Sequence, residues 1–205
     1  CLDSIIRNDY VEMEVIIVND GSRDDSLAIC NKYKDLDSRI VIIDKNNTGV
    51  SDSRNVGIRE SQGQYIMFLD ADDFLESDSF NVIIEDINSG RFDFVAYSYY
   101  TFKKHGVRKE EFFDIDKECS DLEVVREYML ASSALNTCWG KLFLAKVIKE
   151  NEIAFRTDLK IGEDFVFVAE YFMKITNAII KNVPIINYRQ HGESAMRKYD
   201  FRTRI

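Results

Sequence analysis

Short apolar runs, each closed by polar residues, alternate with amphipathic stretches along the first two-thirds of the chain. Residues 14–18 (EVIIV) form a compact apolar run, the pattern of a strand buried on both faces. It ends in the turn Asn19-Asp20-Gly21-Ser22. Asp24 or Asp25 can cap a helix reaching to about Leu36, with Leu27, Cys30 and Tyr33 on one face. Residues 39–44 (RIVIID) predict a second buried strand, and a polar, glycine-containing loop follows over 45–49. A short helix is expected from about Ser51 to Ser61. Residues 65–69 (YIMFL) predict a third strand that runs into Asp70-Ala71-Asp72-Asp73.

Repeated strand–loop–helix units imply right-handed crossovers and a parallel, doubly wound sheet. Ligands of such sheets sit beyond the carboxyl ends of the strands. Asp20 and Asp70 each follow a strand directly, so they are expected to project into one crevice. The pattern then changes. A helix near 78–88 precedes an aromatic, strand-like stretch over 92–102. A turn at 103–106 and a return arm over 107–113 read as a hairpin. Helices are expected over 122–132, 144–151 and 163–175, the last with Phe167, Tyr171 and Ile175 at i+4 spacing. Residues 178–181 and 184–188 read as two short strands, and the basic, polar tail from His191 as mobile.

The length of 205 residues suits one domain with a sizeable core, and 45% apolar residues indicate a folded chain. The net charge of −9 argues against nucleic-acid binding, which needs a basic surface. It leaves room for a small anionic ligand bridged by a metal. No apolar run reaches the roughly 18–20 residues that span a bilayer, so contact with a membrane would be peripheral. Cys1, Cys30, Cys119 and Cys138 are scattered without zinc spacing, which predicts free thiols and a cytoplasmic setting. A start at Cys1, with residues 2–7 reading as the end of a helix, predicts that upstream sequence is missing.

Asp70-Ala71-Asp72-Asp73 is the most pointed chemical feature. Clustered carboxylates repel unless solvent or a cation offsets them, and Mg²⁺ or Mn²⁺ prefer such oxygen ligands. A solvated helix cap is the alternative reading. An EF-hand does not fit, because the twelfth position from Asp70 is Asn81 rather than Glu. Asp20, Gly21 and Ser22 offer a carboxylate, a flexible backbone and a hydroxyl suited to a ribose or base edge; a plain Asp-Gly turn is the alternative reading. Arg54 falls in the first turns of a helix, where it could pair with a phosphate, orient the Asp70 cluster or form a surface salt bridge. Glu163 and Asp164 open a helix, where carboxylates serve as caps or as a base toward an attacking hydroxyl.

The segments EVIIVNDGSRDDS, NTGVSDSRNVGI, GQYIMFLDADD, WGKLF, GEDFVF and INYRQHGESAMR together resemble the family 2 glycosyltransferases, in particular bacterial enzymes of surface polysaccharides. The resemblance covers nearly the whole chain. It implies an α/β, Rossmann-like GT-A fold, a mostly parallel sheet flanked by helices. Residues 1–100 would be the nucleotide-sugar half, 101–190 the acceptor and catalytic-base half of the same domain, and 191–205 the tail. Asp20 would contact the base, with Gly21 and Ser22 beside it. Arg54, in Ser53-Arg54-Asn55, would lie near the diphosphate. Asp70 and Ala71 would lie near the ribose, and Asp72 would bind Mn²⁺ or Mg²⁺. Asp164 would be the catalytic base. Trp139, Lys141, Glu163 and His191 would border the sugar and acceptor site.

The implied reaction is inverting transfer of a hexose from a nucleoside diphosphate, UDP by expectation, to a glycan or lipid-linked hydroxyl. A cytoplasmic enzyme working at the inner face of the membrane fits these partners. The family opens with an apolar strand ending in Pro-x-Tyr-Asn, and that strand is absent here. Two other classes compete. An Asp-x-Asp phosphohydrolase is disfavoured by Asp73-Phe74 after the motif. A non-catalytic nucleotide-sugar-binding or partner-subunit module is disfavoured by retention of Asp70, Asp72 and Asp164.

Overall fold

A computed structural model describes residues 1–190 apart from 9, 11, 103–107, 112, 114, 116 and 133–136. Its elements are α1 (Leu2–Ile6), β1 (Val15–Asp20), α2 (Ser26–Leu36), β2 (Ile40–Lys45), α3 (Val50–Glu60), β3 (Tyr65–Ile66), β4 (Phe74–Leu75) and α4 (Ser79–Ser89). The second half adds β5 (Phe94–Phe102), β6 (Arg108–Glu111), β7 (Glu118–Cys119), α5 (Leu122–Ala131), β8 (Lys141–Leu144), α6 (Ala145–Glu150), α7 (Glu163–Phe172) and β9 (Ala178–Arg189). The tail from His191 lies outside the described residues, as does the turn expected at 103–106.

The strands form two sheets. β1 and β2 pair in parallel, Val15 opposite Ile40 through Asp20 opposite Lys45. The larger sheet runs β3-β8-β5-β9-β4, with β6 on β5 and β7 on β9. β5 and β9 are parallel; the other pairs of this sheet are antiparallel. Among the described residues β1 has β2 as its ladder partner and no second strand beside it. Residues 15–18 are accordingly half-buried, where their apolar run predicted burial on both faces.

Two expectations change in detail. The third strand is a ladder only over Tyr65–Ile66, paired to Leu144 and Phe143, with a single parallel bridge from Phe68 to Trp139 further on. The two short strands near the end are one strand, β9. Its register against β5 jumps from Lys181 opposite Tyr97 to Ile186 opposite Tyr99. Pro184, which has no N–H to give a ladder, falls inside that jump.

The larger sheet carries a core on each face. Phe94 and Ala96 of β5 pack on one side with Phe143, Phe167, Val168 and Tyr171. Val95 and Tyr97 pack on the other with Phe80, Ile83, Leu142 and Ile186. This alternation is the two-residue period of a strand buried on both faces. Phe155 and Phe167 stack at 4.0 Å and 4° between ring planes, and Phe68 meets both edge-on. All four cysteines are free thiols.

Candidate donor and base site

The Asp20 carboxylate is the last side chain of β1, and the structure uses it to hold a loop. Oδ1 accepts a hydrogen bond from the Thr48 N–H (2.9 Å) and contacts Lys45 Nζ; Oδ2 accepts one from the Gly49 N–H (2.9 Å). Burial works against the charge, yet Lys45 and the two amides hold the carboxyl below its usual range. Gly21, at φ +67°, lets the loop approach closely: a Cβ there would stand 2.8 Å from the Asn47 nitrogen. Asn19, Gly21, Ser22, Leu27, Asp44, Lys45 and Asn46 line an open polar cleft of about 530 Å³ at the ends of β1 and β2. The Ser22 hydroxyl donates to Asn19 Oδ1, and Asn19 Nδ2 donates to Asp44 Oδ1 at 2.7 Å.

The loop fixed by Asp20 leads straight into α3, which carries Arg54. Arg54 is mostly buried, its guanidinium lying 5.3 Å from the Phe155 ring centre. Nη1 donates to Asp164 Oδ1 at 2.6 Å and stands 3.8 Å from Glu163 Oε1; Nη2 donates to Asp70 Oδ1 at 3.1 Å. Burial opposes its charge, but the acidic groups around it raise its pKa above the ordinary value. The Asp70 pKa is raised as well, which for a carboxyl disfavours the charge. Burial lifts its carboxyl above the usual range, and the Arg54 contact only partly offsets this.

Asp164 reaches Arg54 because of its place on α7. It shares an inward stripe with the buried Phe167, Val168 and Tyr171, at i+3, i+4 and i+7. Its other oxygen, Oδ2, accepts a hydrogen bond from the Cys138 N–H at 3.2 Å. Both oxygens are therefore engaged by groups from distant parts of the chain. Cys138 is fully buried, and that burial pushes its thiol well above the usual range.

Asp70, Asp72 and Asp73 each present a carboxylate oxygen within 4.8 Å of the others. Asp72 and Ala71 are exposed. Asp73 is completely buried; Oδ1 accepts the Arg189 N–H at 2.8 Å, and Oδ2 has no hydrogen-bond partner among the described residues. Burial, followed by the charges of Asp72 and Asp70 against the opposing Arg189 N–H, pushes its carboxyl up to about 7. This all-oxygen, acidic set with one unsatisfied buried oxygen fits a hard divalent cation.

Trp139 and Lys141 are packed rather than open. Trp139 stacks on Tyr188 at 5.2 Å and 10°, meets Tyr99 edge-on at 4.8 Å, and is 8% exposed. Lys141 Nζ donates to Thr137 Oγ1 (2.9 Å) and to the Trp139 carbonyl (3.0 Å), and burial pushes its pKa down to about 8. These bonds bracket Cys138, so the pair braces the amide that meets Asp164. His191 lies outside the described residues. Sequence reasoning missed Cys138, Asp73, Asn55 and Phe155. Of these, Asn55 and Asp73 stood inside motifs already singled out, whereas nothing local marks Cys138 or Phe155.

This architecture is that of the GT-A glycosyltransferases. The chain superposes on *Staphylococcus aureus* TarS 1–349 in complex with UDP-GlcNAc with a TM-score of 0.79, at 20% identity, over 97% of this chain and 56% of that one. It also superposes on the mannosyltransferase PcManGT of *Pyrobaculum calidifontis*, in complex with GDP-Man and Mn²⁺, with a TM-score of 0.61 at 14% identity, over 96% of this chain and 54% of that one. The family model for glycosyl transferase family 2 matches residues 1–135, and the chain belongs to that family. Glycosyltransferase GlyA of *Streptococcus pneumoniae* is 31% identical over 198 residues, which are 92% of this chain and 28% of that protein. The chain thus spans about half the length of the solved relatives and under a third of GlyA.

Proposed function

We infer that this chain carries the donor site and catalytic base of an inverting hexosyltransferase that moves a sugar from UDP to a glycan or lipid-linked hydroxyl. One observation carries the reading: one mostly buried arginine joins Asp70, at the end of the proposed donor half, to Asp164, at the head of α7. That places a phosphate-compatible cation, an acidic oxygen cluster and a candidate base in one small volume. The UDP-GlcNAc complex of TarS and the GDP-Man and Mn²⁺ complex of PcManGT support a nucleotide-sugar ligand and a divalent metal for this fold.

In this reading Asp20 and the cleft beside Gly21 and Ser22 receive the nucleotide, with Asp70 and Ala71 near the ribose. Asp164 accepts the proton of the acceptor hydroxyl. The freed oxygen bonds to the anomeric carbon from the face opposite the diphosphate, and the bond from that carbon to the phosphate oxygen breaks with its electron pair leaving on UDP. Arg54 helps orient the reacting groups. Mn²⁺ or Mg²⁺, held through Asp72 with Asp70 and Asp73 adjoining, would supply charge stabilisation to the leaving diphosphate. Glu163 borders this site, and Trp139 and Lys141 form its packed wall. Among the described residues no helix is long and apolar enough to cross a membrane. Independently of that, the setting proposed is the cytoplasm, with peripheral access to membrane-held acceptors.

The test is calorimetry with UDP in Mn²⁺ and in EDTA, followed by UDP release from a panel of UDP-sugars. Metal-dependent UDP binding that Asp72→Asn weakens at least tenfold is expected. Equal binding in EDTA would refute the metal role, and donor binding without turnover on any sugar or acceptor would favour a binding module.

A further inference from the structure

Arg54 stands where two halves of the site meet, and its bonding pattern says more than charge neutralisation. One guanidinium faces three carboxylates, at 2.6 Å (Asp164), 3.1 Å (Asp70) and 3.8 Å (Glu163). A planar fork can hold two carboxylates in fixed relative orientation, which an ammonium cannot do. The Asp164 carboxylate is in turn held at its two oxygens by unlike donors, the Arg54 guanidinium on Oδ1 and the Cys138 amide on Oδ2. Two anchors on one carboxylate fix both its plane and its distance from Asp70.

We propose that Arg54 is a positioning residue for Asp164, setting the orientation of the base against the donor motif in addition to any contact with phosphate. The proposal rests on Asp164 acting as the base. The supports of Arg54 agree with that role. Its guanidinium lies over the Phe155 ring, and the neighbouring Asn55 clips the Phe155 main chain, so the side chain is held on a fixed platform. A residue that served only to screen acidic neighbours would not need a fixed plane. A residue that served only the diphosphate would have no reason to make its shortest ion pair with α7.

The experiment is a double-mutant cycle on the whole chain, read by UDP release from the UDP-sugar it hydrolyses fastest, with water as the acceptor, in Mn²⁺. Arg54→Lys is expected to lower kcat at least 30-fold while changing the UDP dissociation constant less than 3-fold. In the Asp164→Asn background the same change is expected to cost less than 3-fold, because the group it positions is gone. Arg54→Ala, a second variant, is expected to regain activity with millimolar guanidinium, and Arg54→Ala/Asp164→Asn to gain nothing. Losses that multiply across the cycle, or an Arg54→Lys effect on UDP affinity as large as that on kcat, would overturn the proposal and leave Arg54 a phosphate contact. Rescue of both alanine variants alike would overturn it too. Failure of the wild-type chain to bind UDP, or full activity in Asp164→Asn, would instead remove the functional reading and the proposal with it.

Discussion

Asn55 and the main chain of Phe155 exchange two hydrogen bonds of 2.8 Å each, Nδ2 donating to the Phe155 carbonyl and Oδ1 accepting the Phe155 N–H. The segment around Phe155 belongs to no helix or strand, so this side chain stands in for a strand partner. Asn55→Ala leaves both backbone groups without their partner. The expected loss is about 2 kcal/mol, or roughly 4–8 °C in Tm for a chain of this size. Thermal unfolding checks it; an unchanged Tm would mean the clip contributes nothing.

Gly21 and Gly57 are expected to respond oppositely to alanine. Gly21→Ala imposes a Cβ 2.8 Å from the Asn47 nitrogen at a left-handed φ, and costs about 1–3 kcal/mol. It also displaces the loop held by Asp20, so UDP affinity falls. Gly57 lies inside α3 with open space around its Cα, and Gly57→Ala stabilises by about 0.5–1 kcal/mol through helix propensity. Urea midpoints of both variants decide the matter. Destabilisation by Gly57→Ala would show that α3 needs that glycine for another reason.

Asp164→Asn is expected to reduce transfer by about 10²–10⁴-fold while leaving UDP binding within a few-fold. Glu163→Gln serves as the comparison, since Glu163 is 3.8 Å from Arg54 where Asp164 is 2.6 Å. Adjacent helical residues point about 100° apart, so the two cannot face one reacting carbon equally. Steady-state kinetics on the same donor separates them. A larger loss in Glu163→Gln would move the base one position earlier.

Asp73 gives a pH-dependent stability in metal-free protein. Its folded carboxyl titrates near 7, above the ordinary value of 3.8, so the folded state holds this proton more tightly than the unfolded chain. The resulting penalty is absent below pH 4, grows as pH rises toward 7 and is complete above it. Asp73→Asn keeps the acceptor for the Arg189 N–H and removes the charge. In EDTA it is expected to raise Tm by several degrees at pH 8, on the order of 2–4 kcal/mol, and to leave it unchanged at pH 4. Equal shifts at both pH values would contradict this. Saturating Mn²⁺ is expected to stabilise the wild type by mass action.

The local pattern of the sequence was sufficient for β1, α2, β2, α3 and α7, because apolar periodicity and turn residues act within a few positions. It also singled out Asp20, Arg54, Asp70 and Asp164 as candidates, but each had an ordinary use as well, in a turn, a helix cap or a surface salt bridge, and the residue types alone did not choose between the two. The two-residue strands β3, β4 and β7 left no readable period, and β8 was hidden in WGKLF beside the start of α6. Which groups meet was decided only in three dimensions. Arg54 and Asp164 are 110 positions apart, and Asp73 and Arg189 are 116 apart. The Cys138 amide that completes the grip on Asp164 carries no side-chain signature at all. A sequence specifies such contacts through the burial of its whole core, so residue types name the candidate groups, and only the packed sheets and helices set which oxygen faces which donor.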